Sequence, residues 1–407
     1  MDIQKIRSDF PILQQKIHGH PLVYLDNSAT TQKPQQVIDS IIRFYTSVNA
    51  NVHRSGHFLS EQASVSFEST RQKVKSFIHA KQTEEIIFTS GTTESINLVA
   101  QSFKNQFIKS DDEIIISEME HHSNIVPWQQ ICKQKNARLK IIPFNEHGEL
   151  IIDTFKKLIT EKTKLIALTF VSNALGTINP VKEIIHIAHE KNIPVLIDGA
   201  QAVQHLPVDV QDLDCDFFVF SGHKMYAGTG VGILYAKQKW LEKMQPYTYG
   251  GGMVESVSFE KTTFANHPFK FEAGTSNISG IISLGKAIDY LNNIGINKIQ
   301  QHEQRLVTYG LDQLSTLDGL TIYAKPKKRC GIISFNLEDI HHYDAMMILD
   351  KLGVAVRSGK HCAEPVMNHY NIKGTIRVSF AMYNNTEEID KLLDGLQKVQ
   401  EMHRQNE

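Results

Sequence analysis

Short apolar segments alternate with longer helix-like segments from about residue 22 to residue 235. The apolar segments have the length of β-strands, are rich in β-branched and aromatic residues, and lie at 85–88, 113–116, 165–170, 195–197 and 217–220. This alternation predicts an α/β fold in which helices cover a mainly parallel sheet. Because ligands of such sheets bind beyond the carboxyl ends of the strands, polar residues directly after these segments are candidates for a functional site.

The C-terminal part of the chain has a different pattern. It contains segments that fit further strands and a helix, at 331–335, 343–352, near 354 and at 376–378. In a closing helix apolar residues recur at helical spacing, and Asn385 with Glu388 matches the pattern of a capping box. We therefore predict a large domain over 22–290 and a small α+β domain built from 1–21 and 291–407.

Composition excludes several classes of protein. The 407 residues include 43 Lys+Arg and 44 Asp+Glu without a block of like charge, which argues against binding to nucleic acid or to a membrane surface. No apolar run approaches the ~18–20 residues of a membrane span, and the N-terminal segment lacks the apolar stretch of a targeting signal. The four cysteines form no C-x-x-C motif, and neither tandem histidine pair, His121-His122 or His341-His342, has the i, i+4 spacing of a helical metal site. We expect a cytoplasmic protein without a metal site.

Lys224 is the strongest candidate for chemistry. It lies in Ser221-Gly222-His223-Lys224, directly after the segment 217–220, and Asp198 lies 26 positions upstream (224 − 198) at the end of another predicted strand. A lysine after a strand is usually a surface charge. The two residues together fit pyridoxal 5′-phosphate, which needs a lysine for its Schiff base and an acid beside its pyridinium nitrogen.

A third strand end fits a phosphate. The segment 86–88 runs through Gly91 into Thr92 and Thr93 and then into a helical pattern. Backbone N–H groups at a helix start, with hydroxyl groups beside them, hold a phosphate well, although a threonine N-cap without a ligand has the same sequence. The glycines of 228–232 do not indicate a dinucleotide site, because they lead into a strand and not into a helix.

At this point the chain resembles the SufS-like cysteine desulfurases, which belong to the class-V aminotransferase group of fold-type I pyridoxal phosphate enzymes. The resemblance covers nearly the whole chain and rests on motifs at 24–31, 120–124, 172–176, 198–201, 221–224, 357–362 and on Arg377. It implies a large domain with a mainly parallel, seven-stranded type of sheet and a small α+β domain.

The resemblance also assigns roles to the residues around the cofactor. Lys224 would carry the cofactor, Asp198 would contact the pyridinium nitrogen, Gln201 would lie beside the phenolic oxygen, and His121 would stack on the ring and move protons. The phosphate would be held by a set of hydroxyl and imidazole side chains, namely Thr92, Thr93, Ser221, His223 and, from the second protomer of a homodimer, Thr275. The substrate L-cysteine would be bound by Arg357, Arg377 and Asn173, with a buried structural ion pair as the alternative for each arginine.

Cys362 distinguishes this group from related aminotransferases. A lone cysteine is usually an apolar filler, but Cys362 lies in the polar stretch 359–364. By resemblance it would take the sulfur of L-cysteine as a persulfide, leave L-alanine, and pass the sulfur to an acceptor for iron-sulfur cluster assembly. Tyr343-Asp344 favours a SufE-like acceptor over a SufU-like one.

The sequence departs from the family pattern in four places, one of which is the run Gly250-Gly251-Gly252-Met253, one residue shorter than usual. Lys360-His361 precedes the cysteine where two histidines are common, and we hypothesise that Lys360 favours the thiolate. The glycine of Arg54-Ser55-Gly56-His57 is moved by one position, and Ser276 follows Thr275 where proline is common. Two alternatives stay open: a selenocysteine lyase or other pyridoxal phosphate β-lyase, and a non-catalytic scaffold that binds an acceptor protein.

Overall fold

The computed structural model describes residues 1–53 and 56–405, so Arg54 and Ser55 of the displaced-glycine motif lie outside the described residues. The strands are β1 Lys16–Ile17, β2 His20–Pro21, β3 Val23–Tyr24, β4 Ile86–Thr89, β5 Glu113–Ser117, β6 Arg138–Ile142, β7 Thr163–Thr169, β8 Val195–Asp198, β9 Phe217–Ser221, β10 Gly232–Ala236, β11 Val254–Val257, β12 Thr262–Phe264, β13 Leu320–Tyr323, β14 Ile332–Leu337, β15 Val354–Ala355, β16 Arg357–Gly359 and β17 Thr375–Ser379.

The helices connect these strands and cover the sheets. They are α1 Ile3–Ser8, α2 Gln35–Arg43, α3 Phe58–Phe77, α4 Thr92–Gln106, α5 Val126–Lys135, α6 Ile152–Leu158, α7 Val181–His189, α8 Val210–Leu213, α9 Gln238–Lys243, α10 Ile278–Ile294, α11 Ile296–Leu314, α12 His342–Lys351, α13 Glu364–His369 and α14 Thr386–Arg404. Within residues 1–53 and 56–405, no helix combines the length and the apolar character that crossing a bilayer requires.

The large sheet has seven strands in the order β4-β10-β9-β8-β7-β5-β6. The strands from β9 to β6 run parallel to their neighbours, whereas β10 runs antiparallel to both β4 and β9. The predicted fold class is therefore confirmed. The sequence pattern did not identify β6, because its burial alternates weakly and two of its five residues are charged.

Alternate residues of the central strands pack on opposite faces of this sheet. In β9, Phe218 and Phe220 belong to the hydrophobic cluster on one face, and Phe217 and Val219 belong to the cluster on the other face. Side chains of successive strand residues point in opposite directions, so helices on both faces bury an uninterrupted apolar run. This burial on both faces explains why the strands appear in the sequence as continuous apolar segments and why each strand ends where polar residues begin.

A four-stranded antiparallel sheet, β13-β14-β17-β16, forms a second core with α11, α12 and α14. The predicted capping box is present at the start of α14, where Asn385 and Glu388 cap each other's backbone N–H groups. Strand β3 pairs with β15 in parallel, so the chain reaches the large sheet only after it has contacted this second core.

The charged segment 325–329 is only partly exposed to solvent. Lys325, Lys327 and Lys328 are exposed, but Arg329 is buried. A guanidinium nitrogen of Arg329 donates to the Ala324 carbonyl oxygen at 2.5 Å, and its backbone forms a bridge with Thr177. The aliphatic part of an arginine packs well in a core when its donors find carbonyl oxygens, and the sequence alone does not reveal these partners.

Candidate active site

A cavity of about 510 Å³ lies at the carboxyl ends of the central strands. The last residues of β7, β8 and β9, which are Thr169, Asp198 and Ser221, all line it. This is where parallel sheets bind their ligands, and the volume falls within the range of ~300–1,000 Å³ that is usual for small-molecule sites.

Nearly all of the predicted site residues line this one cavity, although they come from distant parts of the chain. They are Thr92, Thr93, His121, Asn173, Asp198, Gln201, Ser221, His223, Lys224, Arg357, Cys362 and Arg377. Thr275 lies elsewhere and lines a second cavity with His53 and Phe269. Within one chain Thr275 is therefore separate from Lys224, and its donation to a partner's site stays a prediction.

Lys224 and Asp198 have the environment that pyridoxal phosphate requires. Lys224 ends the 3₁₀ turn Gly222–Lys224 directly after β9, and Asp198 ends the adjacent strand β8. Asp198 is 4% exposed, and one of its oxygens accepts a hydrogen bond from the Ala200 N–H at 2.9 Å. Burial raises the pKa of Asp198, because a carboxylate removed from water is less stable in its charged form. A cation nearby would stabilise that charged form. A protonated pyridine nitrogen would supply that cation, so the residues fit the group.

Burial also lowers the pKa of the Lys224 amine to about 8, even though the Asp198 carboxylate opposes this shift. A lysine with a pKa near neutrality has a substantial fraction of neutral amine, which is the form that reacts with an aldehyde. The site therefore prepares Lys224 for covalent attachment of a cofactor.

The start of α4 forms a polar cup beside Lys224. The Thr92 backbone N–H donates to Ser221 Oγ at 2.8 Å, and the two hydroxyl groups are 2.7 Å apart. His223 Nδ1 lies 3.2 Å from Thr30 Oγ1, and burial lowers the pKa of His223 to about 4. A helix N-terminus with hydroxyl groups and a neutral imidazole offers hydrogen-bond donors to an anion, which suits a phosphate.

His121 is held in a defined protonation state. Its Nδ1 accepts a hydrogen bond from the Ser123 backbone N–H at 3.1 Å and lies 2.8 Å from Ser123 Oγ. Because Nδ1 accepts, the neutral ring carries its proton on Nε2. Burial, and then the positive charge of Lys224, lower the pKa of His121 to about 3. His121 is therefore neutral near pH 7 and has one N–H to donate.

Asp26 holds both candidate substrate arginines. One Asp26 oxygen accepts from Arg377 Nη2 at 3.0 Å, and the other lies 3.4 Å from Arg357 Nη1. Arg377 is 2% exposed and also donates to the Asn173 carbonyl oxygen, whereas Arg357 is about half exposed. The structural ion pair that the sequence left open is therefore present. Arg377 Nε has no hydrogen-bond partner among the described residues, so part of the guanidinium is left for a substrate carboxylate.

Cys362 lies on a constrained loop that follows β16. His361 and Cys362 both have left-handed backbone conformations, with φ of 55° and 52°. Three hydrogen bonds fix this loop: Asn173 Nδ2 donates to the His361 carbonyl oxygen, the His122 N–H donates to the Cys362 carbonyl oxygen, and His361 Nε2 pairs with Thr375 Oγ1. The Asn173 amide is thus used to hold the cysteine loop, in addition to the predicted place at the substrate.

Of the four cysteines, all within the described residues, only Cys362 is exposed. Burial raises the pKa of the other three thiols, to about 11 at Cys132 and further at Cys215 and Cys330. Since the thiolate is the nucleophile, those three thiols are inert near neutral pH.

Lys360 is not a free charge beside the thiol. Its Nζ forms a close ion pair with a Glu364 carboxylate oxygen one helical turn on, and both side chains are about half exposed. Solvent and Glu364 therefore screen the charge that our hypothesis assigns to Lys360. The hypothesis stays a prediction.

Sequence reasoning did not assign roles to Asp26, His122 or Ser123, although all three lie in motifs that carry the family resemblance. The available signal was position: Asp26 follows β3, and His122 and Ser123 follow the candidate His121 directly. Their partners are hundreds of residues away for Asp26 and His122, so no local pattern reveals the contacts.

Comparison with known proteins agrees with this geometry. A family model described as aminotransferase class-V matches residues 23–392. The chain is 51% identical over 398 residues to a cysteine desulfurase of Escherichia coli O8 (strain IAI1), and 49% identical over 401 residues to a probable cysteine desulfurase of Halalkalibacterium halodurans. Each alignment covers 98% of both chains.

Two solved structures resemble the whole chain. The cysteine desulfurase CsdA from Escherichia coli is 36% identical, with a TM-score of 0.92 and 99% of each chain covered. The apo cysteine desulfurase from Thermococcus onnurineus NA1 is 37% identical, with a TM-score of 0.93 and 97% of each chain covered. The resemblance that the motifs indicate is confirmed. The chain belongs to the class-V aminotransferase family, within its group of cysteine desulfurases.

Proposed function

We propose that this enzyme converts L-cysteine to L-alanine with pyridoxal 5′-phosphate held at Lys224, and that Cys362 takes the sulfur as a persulfide. The observation that carries the proposal is the single cavity in which Lys224, Asp198 and the helix start at Thr92 meet the loop of Cys362. A lysine, an acid and an anion cup serve the cofactor, and an exposed thiol serves the sulfur.

The cofactor would be held at three points. Lys224 would bind it covalently, Asp198 would keep its ring nitrogen protonated, and Gln201 would contact its phenolic oxygen. The phosphate would lie against the hydroxyl and imidazole groups of Thr92, Thr93, Ser221 and His223, completed by Thr275 of a second protomer. When bound, pyridoxal phosphate supplies a ring that accepts the electron pair of the substrate Cα–H bond.

The chain's own residues would orient the substrate and move its protons. Arg377 and Arg357 would bind the substrate carboxylate, and Arg377 would do so with a buried guanidinium whose Nε has no hydrogen-bond partner among the described residues. His121, neutral and protonated on Nε2, would donate or accept a proton at the reacting atoms. Lys224 would remove the Cα proton as an amine of lowered pKa.

Cys362 would attack the sulfur of the bound substrate as a thiolate. In this step a bond forms between Cys362 Sγ and the substrate sulfur, the substrate C–S bond breaks, and its electron pair stays on the carbon side. Proton uptake at carbon then yields L-alanine, and the persulfide stays on Cys362. A second thiol from a SufE-like or SufU-like acceptor would remove the sulfur for iron-sulfur cluster assembly.

We further propose that the enzyme works as a homodimer in the cytoplasm. The separation of Thr275 from the cavity of its own chain supports a dimer, because only a second copy can bring this hydroxyl to the phosphate. The near balance of charges, without a basic block, supports a partner that is a protein and not a nucleic acid.

The test measures cofactor and products together. Purified protein should absorb near ~420 nm, the band expected for pyridoxal phosphate linked to a lysine. L-cysteine should give L-alanine and a persulfide that mass spectrometry maps to Cys362. Lys224→Ala should lose the band, and Cys362→Ala should keep the band but lose alanine formation in the presence of either acceptor type. A colourless wild-type protein would refute the proposal and favour a scaffold.

The selenocysteine lyase alternative uses the same residues. Rates on selenocysteine and cysteine, for wild type and Cys362→Ala, separate the two activities. Selenium leaves carbon more readily than sulfur, so a desulfurase should keep selenocysteine turnover in Cys362→Ala while it loses cysteine turnover. Equal retention of both rates would favour a lyase that does not use Cys362.

A further inference from the structure

The carbonyl oxygen of His223 accepts hydrogen bonds from four donors at once, and it belongs to the peptide bond directly before Lys224. The Thr31 N–H lies at 3.2 Å, the hydroxyl groups of Thr30 and Thr31 each lie at 3.1 Å, and Lys33 Nζ lies at 2.8 Å. A carbonyl oxygen has only two lone pairs, so this concentration of donors is unusual. The shortest of the four contacts is that of the lysine.

The other contacts of Lys33 Nζ lie within its own chain segment, and one of them is Thr30 Oγ1 at 3.4 Å. Its Nζ also donates to the Thr31 carbonyl oxygen at 2.5 Å, and no carboxylate among the described residues pairs with it. Burial lowers the pKa of Lys33 to about 7, which shows that the protein keeps this amine away from solvent at a cost. A lysine that served only as a solvated charge would extend into water.

The two threonine hydroxyl groups at this oxygen each have a second partner. Thr30 Oγ1 also lies 3.2 Å from His223 Nδ1, and Thr31 Oγ1 accepts a hydrogen bond from the Tyr226 N–H. Lys33 makes the shortest contact with the oxygen, and in its protonated form it is a charged donor, whose hydrogen bonds are shorter and stronger than neutral ones.

We propose that Lys33 is a positioning residue for Lys224: its amino group fixes the His223–Lys224 peptide and so holds the Lys224 amine toward the cavity. This inference rests on the proposed function, in which Lys224 carries the cofactor. The same chain segment supports the site elsewhere, because Asp26 binds the two arginines and the Ser28 carbonyl oxygen accepts from Gln201 Nε2 at 2.8 Å.

The experiment measures how fast Lys224 captures its cofactor. Apo-protein is mixed with pyridoxal phosphate, the band near ~420 nm is followed in time, and borohydride reduction with peptide mapping identifies the modified lysine. Lys33→Met, which keeps the length of the side chain but removes the amine, should slow capture at Lys224 about tenfold, the effect of losing one charge-assisted hydrogen bond. Lys33→Arg should recover part of the rate, and Lys391→Met, at an exposed lysine of α14, should have the wild-type rate.

Thermal unfolding of each apo-protein separates positioning from stability. If Lys33→Met lowers the melting temperature but captures the cofactor at the wild-type rate, Lys33 is merely structural and the inference is overturned. If Lys33→Met does not fold, Lys33→Gln is judged by the same criterion. A wild-type protein that modifies a lysine other than Lys224 refutes the proposed function, whereas wild-type capture at Lys224 with unchanged capture in the Lys33 variants refutes only this inference.

Discussion

Replacement of Thr375 by valine should release the loop that carries Cys362. Thr375 begins β17, is fully buried, and its hydroxyl lies 2.8 Å from His361 Nε2. Valine has nearly the same shape but no hydroxyl. Because His361 Nδ1 already lacks a partner among the described residues, the change leaves a buried imidazole with neither nitrogen paired.

The size of the effect follows from two free energies that nearly cancel in the loop, the cost of its left-handed residues and the stabilisation from its hydrogen bonds. The two left-handed residues, His361 and Cys362, cost ~1–2 kcal/mol each. The three hydrogen bonds that fix the loop contribute ~0.5–1.5 kcal/mol each, which is of the same order. Loss of one bond, with an unsatisfied buried nitrogen left behind, should cost ~1–2 kcal/mol and change the population of the ordered loop about 5–30-fold.

Two measurements on the holoenzyme test this estimate. The rate of Cys362 alkylation by iodoacetamide should change in Thr375→Val, because a disordered loop no longer holds the thiol against the other residues of the cavity, and kcat for alanine formation should fall about 5–30-fold. The absorption band of the cofactor should not change, since Thr375 does not line the cavity. Thr321→Val, at an exposed position of β13, is the matched control. Alkylation and kcat both within about twofold of wild type would show that the loop does not depend on this bond.

Three further predictions concern the same loop. Burial holds the pKa of His361 well below its usual ~6.5, so as the pH falls the unfolded chain binds a proton that the folded chain does not. Between pH 7.5 and 5.5 the free energy of unfolding in urea should therefore fall by ~1.4 kcal/mol more in wild type than in His361→Gln. Equal losses in the two proteins would refute this prediction. Lys360→Gln should slow Cys362 alkylation at a fixed pH and Glu364→Gln should speed it, and the Lys360 hypothesis fails if neither rate changes. A Cβ added at Gly359 meets no atom within 4 Å, but φ is 117°, so Gly359→Ala should lower the free energy of unfolding in urea by ~1 kcal/mol through backbone strain alone; an unchanged free energy would show that the loop relaxes freely.

The sequence predicts the positions of Asp198 and Lys224, because the signal for them lies in the residues next to them. The ends of β8 and β9 are marked by a change from apolar to polar residues, and Asp198 and Lys224 lie at that change. Parallel strands bring such residues together whatever the connecting helices contain. The pairing register of β8 with β9 is then fixed by packing, because a shift by one residue would move every side chain of the strand to the opposite buried face.

The sulfur half of the site could not be predicted in the same way. The contact of Asn173 with His361 spans 188 residues, and that of Asp26 with Arg377 spans 351. Neither contact leaves a periodic signal in the chain. The left-handed conformation of His361 and Cys362 is also not evident from the sequence, because two successive non-glycine residues rarely adopt it unless tertiary contacts sustain it. The family resemblance identified these residues, but their contacts required the structure.

The two halves of the site come from different structural units, and this division has a chemical consequence. The large sheet presents Lys224 and Asp198 from strand ends that are buried on both faces, so rigid elements would hold the proposed cofactor. The smaller sheet presents Cys362 from a loop beyond β16 whose conformation depends on a few hydrogen bonds. In the proposed reaction the Cys362 thiol first attacks a buried substrate and then meets an acceptor protein, so it needs a mobile loop. The proposed cofactor needs a rigid support. Changes at the loop should therefore affect sulfur transfer while the cofactor spectrum stays constant, and changes at the strand ends should affect both.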